Sequence, residues 1–200
     1  MIETIATENQ LEERLGEPTE LDVEAAGRLG GDVIVLGAGG KMGPSLVARL
    51  ARAIAAAGKN YKVIAVVRQD SQGHLKRLGP GVEPIEADLL DPKSFDAFPD
   101  APNVIFMAGR KFGSSSDEPL TWATNAWIAG LAGHRFRSSR TVVFSRGNVY
   151  PFVSVADSKG ANEDTPPAPL GEYAQSALAR ERMFEYCSNR HKTPVLLFRL

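Results

Sequence analysis

A glycine-rich turn is the segment whose residue types and spacing most clearly suit a chemical task. An apolar run at 33–36 leads into glycines at 37, 40 and 43, and a helical pattern follows. A Cβ there would block either a positive φ or the approach of the backbone to a pyrophosphate, and the helix start adds oriented N–H donors. The order of strand, turn and helix predicts dinucleotide binding; a purely structural tight turn is the alternative. The predicted contacts are Gly37, Ala38, Gly39, Gly40, Lys41, Met42 and Gly43.

Two basic residues bear on which dinucleotide binds. After the second apolar run, an NAD site usually carries an Asp or Glu that accepts from the ribose 2′-hydroxyl, whereas this chain has Arg68. Arg68 can form charge-assisted hydrogen bonds to a 2′-phosphate, and Lys41 adds a second positive charge. The cofactor is therefore expected to be NADP or NAD, with NADP favoured. Solvated surface charge is the alternative for both residues.

The elements that must position this turn form an alternating pattern. Short apolar runs alternate with helical patterns from position 32 onward, which is typical of strand-helix-strand units around a parallel sheet. The fold class is therefore predicted to be α/β, a Rossmann-type doubly wound parallel sheet flanked by helices. Predicted strands are 33–36, 63–67, 83–87, 104–108, 141–145 and 194–198, and predicted helices are 42–57, 71–78, 93–98, 119–133 and 171–189.

The first thirty residues differ in texture from the rest. They are polar and acidic, and Thr19 followed three residues later by Asp22 is a typical helix start. We expect a short helical N-terminal extension over 1–30, packed on a dinucleotide-binding domain over 31–200. A partner-binding arm is the alternative reading of the extension.

Several further segments resemble the NAD-dependent epimerase/dehydratase family of the extended short-chain dehydrogenase/reductases, from about residue 32 to 200. Ala87-Asp88-Leu89 ends the third strand where the family has an Asp that contacts the adenine. Met107-Ala108-Gly109 ends the fourth strand where the family's backbone borders the cofactor. Thr124-Asn125-Ala126 matches the family's helix Asn, and Phe144 to Tyr150 resembles its fifth-strand motif ending in Val-Tyr. The resemblance assigns cofactor contacts to Asp88, Leu89, Ala108, Gly109, Asn125 and Ser145.

The segment after Gly171 resembles the helix that carries the family's Tyr-x-x-x-Lys pair, but it departs from that pattern. Tyr173 holds the tyrosine place, and Ala177 stands where the lysine would be. In the family the tyrosine exchanges the substrate proton, while the lysine lowers the phenol pKa from about 10 toward neutrality. Arg146 replaces the Ser or Thr that hydrogen-bonds the substrate oxygen, and it cannot shuttle a proton. We assign Tyr173 and Arg146 to the catalytic site; loss of activity explains the same residues.

The same helix carries Arg180, Glu181 and Arg182, which we expect on its polar side. Helices of this kind often form a dimer bundle in the family, so the resemblance implies a homodimer. Trp122 and Trp127 are expected to be core or oligomer contacts; substrate platforms are the alternative. Arg110 and Lys111 follow the fourth strand; they either meet a phosphate or carboxylate or are solvated loop charge.

The resemblance implies an epimerase/dehydratase-like oxidoreductase that acts on a sugar or nucleotide-sugar by transient hydride transfer. A catalytically weak NADP(H)-binding sensor or scaffold is the alternative. Family members place most substrate contacts after the sixth strand, where this sequence stops, so the C-terminal substrate domain is expected to be absent and the chain is either a fragment or has an open pocket.

Composition excludes several other classes. The formal net charge is −1, from 23 basic and 24 acidic residues, so no net field favours a nucleic-acid partner. No run reaches the roughly 18 apolar residues of a membrane helix, and the start resembles no export signal. The single cysteine, Cys187, argues for a reducing compartment, and the three histidines lack metal-ligand spacing. We therefore expect a cytoplasmic protein with a small-molecule substrate and no metal.

Overall fold

The computed structural model describes residues 5–68, 81–111, 116–154, 156 and 160–200. Six strands form one sheet in the order β3-β2-β1-β4-β5-β6, which is the strand order of the Rossmann fold. The predicted α/β fold class is confirmed, and each predicted strand overlaps an observed one. The strands are β1 (Val33–Leu36), β2 (Val63–Val67), β3 (Val82–Glu86), β4 (Asn103–Phe106), β5 (Arg140–Ser145) and β6 (Val195–Arg199).

Helices alternate with these strands along most of the chain. The predicted helix over 119–133 is interrupted by a π-helical turn at Ala123–Trp127, and the one near 71–78 lies outside the described residues. A 3-10 turn, Gly147–Val149, follows β5. The α-helices are α1 (Glu8–Leu15), α2 (Glu20–Gly27), α3 (Gly43–Ala56), α4 (Pro92–Asp96), α5 (Glu118–Trp122), α6 (Ile128–Arg135) and α7 (Gly171–His191).

The chain divides into two compact units. The first comprises Met1–Asp88 and Pro99–Met107, and the second comprises Leu89–Phe98 and Ala108–Leu200. α1 and α2 belong to the first unit and pack against α3. A domain boundary near residue 30 therefore stays a prediction.

The core of the first unit forms around β1 and β2, in which every residue is buried. Both strands are rich in Val and Ile, whose branched side chains suit a parallel strand that is covered on both faces. Ile34 pairs in parallel register with Ile64 on one side and with Val104 on the other. β3 carries Pro84 and is largely exposed, as befits a strand at the sheet edge. The apolar runs thus place the glycine turn at the end of a rigid central strand.

The N-terminal helices are anchored by caps and by one ion pair. Thr19 and Asp22 form the predicted capping box of α2, and Thr7 forms a second one with Gln10 at the start of α1. The Arg49 guanidinium on α3 donates to Asp22 Oδ2 from Nε at 2.9 Å and from Nη2 at 2.6 Å. These contacts confirm the predicted start of α2.

The second unit is organised by α7, which packs on the π-helical turn, on α6 and on β5 and β6. Its buried residues recur at intervals of three and four, so one stripe of the helix faces inward. This stripe comprises Ala174, Ser176, Ala177, Arg180, Glu181, Phe184 and Cys187.

Candidate functional site

The glycine turn between β1 and α3 has the geometry of a backbone-lined cradle. Gly37 has φ +91°, which L side chains rarely adopt, and its amide and that of Ala38 donate to Val66 O at 3.1 and 2.9 Å. Gly43 is buried, and a Cβ there would overlap the Ala38 carbonyl. These two glycines are required by the turn itself.

Gly40 differs from these two glycines because the protein's own packing does not require it. A Cβ there would find its nearest neighbour, Gly37 O, at 3.7 Å, which is ordinary van der Waals contact, and its φ is not in the left-handed region. Gly40 is exposed. An absent side chain at this place leaves the backbone open to a ligand.

Donors line the same turn. The backbone amides of Gly39, Lys41 and Met42 donate to no acceptor in the part of the chain that the structure describes. α3 begins without a side-chain cap, with Pro44 in its first turn. Uncapped helix N-termini and adjacent free amides attract anions. The turn therefore fits the pyrophosphate of a dinucleotide.

The basic residues considered for cofactor choice lie in the first unit and are exposed. Arg68 directly follows β2, and Lys41 lies in the turn. Asp88 is also exposed, beyond the end of β3, and the Ala87 amide before it donates to Val67 O at 2.8 Å. The Arg68 and Lys41 side chains make no hydrogen bond or ion pair with a described residue, so both can meet a ligand in solvent.

In the second unit, the segment after β4 is held by Asn125 of the π-helical turn. Asn125 is completely buried; its Oδ1 accepts from the Arg110 amide at 2.9 Å, and its Nδ2 donates to Arg110 O at 3.3 Å and to Ser176 Oγ at 2.9 Å. Ala108 is buried and Gly109 is exposed. Leu89, another assigned cofactor contact of this unit, is 8% exposed.

Tyr173 lies in the first turn of α7 and is half-buried. Its hydroxyl makes no hydrogen bond to any described residue. The Tyr173 carbonyl accepts from Ser176 Oγ at 2.9 Å, so the same hydroxyl that receives a bond from Asn125 fixes this turn of the helix. A phenol that is held at its backbone and free at its oxygen can exchange a proton with a ligand.

The expectation that Arg180 and Glu181 lie on the polar side of α7 is wrong. Arg180 is 2% exposed and Glu181 is 0% exposed, whereas Arg182 is exposed and pairs with Glu185. The inward stripe of the helix passes through both buried positions, and each finds polar partners there. The lysine place, Ala177, is completely buried on the same stripe.

Arg180 is held by neutral oxygens. Its Nη2 donates to Asn125 Oδ1 at 2.8 Å, its Nη1 to Phe144 O at 2.9 Å and its Nε to Asn125 O at 3.4 Å. Burial lowers the pKa of Arg180 to about 10, and the positive charge of Arg146 acts in the same direction. The charges of Tyr173 and Glu181 oppose this shift.

Arg146 directly follows β5 and is half-buried. Its guanidinium has no acceptor and no acid partner in the described part of the chain. Its positive charge opposes that of the buried Arg180. A guanidinium without a protein acceptor can donate hydrogen bonds to an anionic ligand.

Ser145 and Glu181 belong to a second buried cluster. Ser145 is completely buried, and its Oγ donates to Glu181 Oε1. Arg199 donates to Glu181 from Nη2 at 2.7 Å and from Nε at 3.0 Å, and its Nη1 donates to Tyr150 Oη at 2.9 Å. The Ser145 hydroxyl is thus engaged within the protein, and its assignment as a cofactor contact remains a prediction.

An apolar groove of about 850 Å³ runs along the second unit between the π-helical turn, α6 and α7. Trp127 and Tyr186, which line it, are 53% and 65% exposed, and Trp122 is 36% exposed. The tryptophans are therefore surface residues rather than core. No group of three metal-ligating side chains occurs among the described residues, and no helix there is both long and apolar enough to cross a membrane.

Sequence comparison assigns this combination of fold and motifs to a family. The model of the NAD dependent epimerase/dehydratase family matches residues 33–200. The chain belongs to this family. The match begins at β1 and covers the glycine turn, the π-helical turn and α7. Among curated proteins, no sequence matches this one.

Several solved structures share the fold of this chain. MoeE5 in complex with UDP-glucose and NAD is 24% identical with a TM-score of 0.67, over 84% of this chain and 53% of MoeE5. UDP-glucuronic acid 4-epimerase from Bacillus cereus in complex with NAD is 20% identical with a TM-score of 0.68, over 84% of this chain and 55% of that one. UDP-glucose 4-epimerase from Brucella ovis in complex with NAD is 20% identical with a TM-score of 0.68, over 84% of this chain and 51% of that one. The chain spans about half the length of these structures.

Sequence reasoning missed the polar cluster inside the second unit of this family member. Ser176, Arg180 and Glu181 follow Tyr173 at intervals of three, seven and eight residues, and those spacings share one helix face. The intervals were readable from the sequence. Charged residues at such positions are nevertheless read as surface unless their partners are known.

Proposed function

We propose that this chain binds a nicotinamide dinucleotide and acts as an epimerase/dehydratase-like oxidoreductase. Gly40 carries the proposal: it has no side chain where the protein's own packing would accept one, beside three free amides and an uncapped helix. A pyrophosphate uses both features. Three solved structures of similar fold are complexes with NAD, and this supports the same class of cofactor here.

The preferred form of the cofactor is NADP(H). Arg68 is exposed directly after β2, where an NAD site would carry a carboxylate, and Lys41 lies exposed in the glycine turn. The family pattern assigns to Asp88 a contact with the adenine of the cofactor. The three NAD complexes compared above are at most 24% identical to this chain, so a different preference is compatible with the shared fold.

In the second unit, we assign the proton exchange to the Tyr173 hydroxyl and the contact with the substrate oxygen to Arg146. The Tyr173 oxygen is free to accept or donate a proton, and the Arg146 guanidinium is free to donate. The family pattern assigns contacts with the cofactor to five further residues of this unit: Leu89, Ala108, Gly109, Asn125 and Ser145. When bound, the dinucleotide supplies a hydride acceptor and donor; the protein's own groups bind, orient and move the proton.

The proposed substrate is a sugar or nucleotide-sugar. Two structures of the same fold are named as sugar-nucleotide 4-epimerases, and MoeE5 holds UDP-glucose. The proposal extends to a cytoplasmic location, which the single free cysteine, Cys187, supports.

A specific observation favours a second function, that of an NADP(H)-binding sensor or scaffold. Ala177 is completely buried at the lysine place, so nothing reaches the cofactor ribose from that position. The position of Arg146 after β5 also departs from the family's Ser or Thr. Under this alternative the glycine turn binds dinucleotide and no turnover follows.

The proposal includes a homodimer. The groove along α6 and α7 is apolar and is lined by exposed aromatic residues, among them Trp127 and Tyr186. Exposed apolar patches of this kind mark interfaces. Trp127→Glu is expected to reduce the mass measured by light scattering from that of a dimer to that of a monomer; a monomeric parent would remove this part of the proposal.

Two measurements test the function. NADPH and NADH are titrated into the purified chain and binding is followed by nicotinamide fluorescence. The loaded protein is then offered UDP-glucose, UDP-galactose and UDP-glucuronic acid, with product detection by chromatography. Binding with turnover supports the oxidoreductase, binding without turnover on any of them supports the sensor, and failure to bind either nucleotide overturns both.

A further inference from the structure

The apolar groove of the second unit is bordered by two helical segments that run in the same direction. Trp122 at the end of α5 donates to Glu172 in the first turn of α7. Near the other end, a Cβ at Gly133 of α6 would overlap Cys187 Sγ of α7. These contacts advance together along both segments. One end of the groove therefore lies at the two helix starts and the other at the two helix ends.

The two ends of this groove carry opposite charges. The end at the helix starts is acidic, with Glu118 in the first turn of α5 and Glu172 in the first turn of α7. The other end is basic and is lined by His134 in the last turn of α6 and by Arg190 and His191 in the last turn of α7. The helical rise separates the two ends by about 25 Å. That separation exceeds the screening length of about 8 Å at physiological salt, so each end acts as a separate charge site.

None of these five side chains forms an ion pair with a residue that the structure describes. Glu172 accepts a hydrogen bond from Trp122, which lines the groove, so the carboxylate lies at the groove's edge. Glu118 lies one turn before Trp122 on the same side of the helix. Helix dipoles account for part of this pattern, because acids stabilise helix starts and bases stabilise helix ends. They do not account for the apolar surface between the two ends.

The middle of the groove is apolar and open. Trp127, Met183 and Tyr186 line it with large exposed side chains, and Gly130 lies among them. A Cβ at Gly130 would find its nearest neighbour, Met183 Sδ, at 3.7 Å, which is ordinary van der Waals contact. Glycine inside a helix lowers its stability relative to alanine, so a glycine that the protein's own packing does not require calls for another reason. The close approach of a helix from another molecule supplies one.

We propose that a second copy of this chain covers the groove in antiparallel orientation, so that the acidic end of each copy lies on the basic end of the other. A two-fold axis in the interface can lie across the helices or along them. Across them, it brings opposite charges together at both ends; along them, it brings like charges together. The helix dipoles favour the antiparallel orientation as well. The inference rests on the homodimer of the proposed function and adds its geometry.

Other occupants fit this surface less well. A membrane or a nucleic acid would be attracted by the basic end and repelled by the acidic end. A small apolar ligand would fill the middle of the groove and leave both charged ends without partners. A partner that carries its charges in the reverse order pairs with both ends, and an antiparallel copy of the chain provides that order.

Charge reversal at each end tests the orientation, with dimer dissociation constants measured by analytical ultracentrifugation. Arg190→Glu reverses a charge at the basic end, and Glu172→Lys reverses one at the acidic end. Each dimer contains both contacts twice, so each single variant is expected to weaken the dimer about tenfold, and the double variant should return to within about threefold of the parent. Arg182→Gln, an exposed change on the same helix outside the groove, is the control and should stay within about twofold.

A mixture of the parent and the double variant distinguishes the two orientations directly. In the antiparallel orientation a mixed dimer places like charges on each other at both ends, so native mass spectrometry should find mixed dimers well below the statistical half of the total. The parallel orientation predicts mixed dimers above half. The two tryptophans of the chain both line the groove, so their emission gives a second measure of dissociation on dilution. If Glu172→Lys does not fold by circular dichroism, Glu172→Gln keeps the acceptor for Trp122 and should weaken the dimer by a smaller factor.

Three results overturn the inference: a parent that stays monomeric, single variants that dimerise as tightly as the parent, or mixed dimers at or above half of the total. The second and third results leave the homodimer in place and remove only its antiparallel geometry. The readouts need neither cofactor nor substrate. Failure of the chain to bind NADPH would therefore remove the proposed oxidoreductase and leave the mass measurements to decide this inference by themselves.

Discussion

Arg199 Nη2 donates to Glu181 Oε2 at 2.7 Å, and the Glu181 side chain has no exposed surface. The guanidinium also lies 4.9 Å from the centre of the Tyr150 ring and donates to its hydroxyl. Its hydrogen bonds to Glu181 raise the pKa of Arg199 above its ordinary value. β6 and α7 are thus joined through a buried ion pair.

Removing the basic partner should strongly destabilise the protein. Arg199→Met leaves a buried carboxylate without its counter-charge, and we expect a loss of about 3–5 kcal/mol in the free energy of unfolding. Urea denaturation measures it. Arg182→Met, which breaks the exposed pair with Glu185, should cost under about 1 kcal/mol. Equal costs for the two variants would contradict a structural role for the buried pair.

The ion pair between Asp22 and Arg49 should give stability that disappears in acid. Hydrogen bonds from Arg49 and then from Thr19 lower the pKa of Asp22 to about 2. A lowered pKa in the folded state stabilises the protein above the unfolded value of about 4 and ceases to do so as pH falls toward 2. Both side chains are 34% exposed, so solvent screening limits the effect to under about 1 kcal/mol.

Urea unfolding of the parent and of Asp22→Asn at several pH values between 2 and 6 measures this contribution. The two proteins should differ at pH 6 and converge at pH 2. Glu20→Gln, an exposed change on the same helix, is the control and should leave a difference that is nearly independent of pH. A constant gap between Asp22→Asn and the parent would contradict the prediction.

Two glycines of the turn should respond differently to substitution. Gly40→Val fits the protein's own packing, and we expect the variant to fold and to bind dinucleotide more than tenfold less tightly, about 1.4 kcal/mol or more. Gly43→Ala would overlap the Ala38 carbonyl, so it should destabilise the fold itself. Calorimetric titration and thermal unfolding separate the two effects. Unchanged affinity in a folded Gly40→Val would rule out pyrophosphate binding at this turn.

Arg68 should set the cofactor preference. The parent is expected to bind NADPH more tightly than NADH, and Arg68→Ala should narrow the difference, because the extra phosphate loses a charge-assisted partner. Added salt should weaken NADPH binding more than NADH binding. Lys62→Ala, at the opposite end of β2, is the control and should leave the ratio unchanged. Equal affinities in the parent would exclude an NADP(H) preference.

Tyr173→Phe should lower turnover on any accepted sugar nucleotide by about a hundredfold or more while leaving dinucleotide affinity unchanged. Tyr186→Phe, an exposed change on the same helix, is the control. Initial rates with saturating cofactor measure the effect. A parental rate in Tyr173→Phe would show that another group moves the proton.

Local patterns were enough to predict the sheet and the glycine turn. β1 and β2 begin and end at the predicted residues, because continuous runs of Val and Ile favour buried parallel strands wherever the rest of the chain lies. The interruption of the helix at Ala123–Trp127 was not predicted. Asn125 bonds there to the segment after β4 and to α7, partners that lie 15 and 51 residues away in sequence.

By itself, the sequence determined four features: a doubly wound parallel sheet, a glycine turn between the first strand and the next helix, the tyrosine of α7, and the absence of a lysine at position 177. Those features depend on neighbouring residues and on helix or strand periodicity. Only the tertiary structure decided that Arg180 and Glu181 are buried and that Gly40, unlike Gly43, has room for a side chain. The physical reason is that burial of a charge, or the need for a glycine, depends on which distant atoms surround it, here Asn125, Phe144 and Arg199 around the two charges.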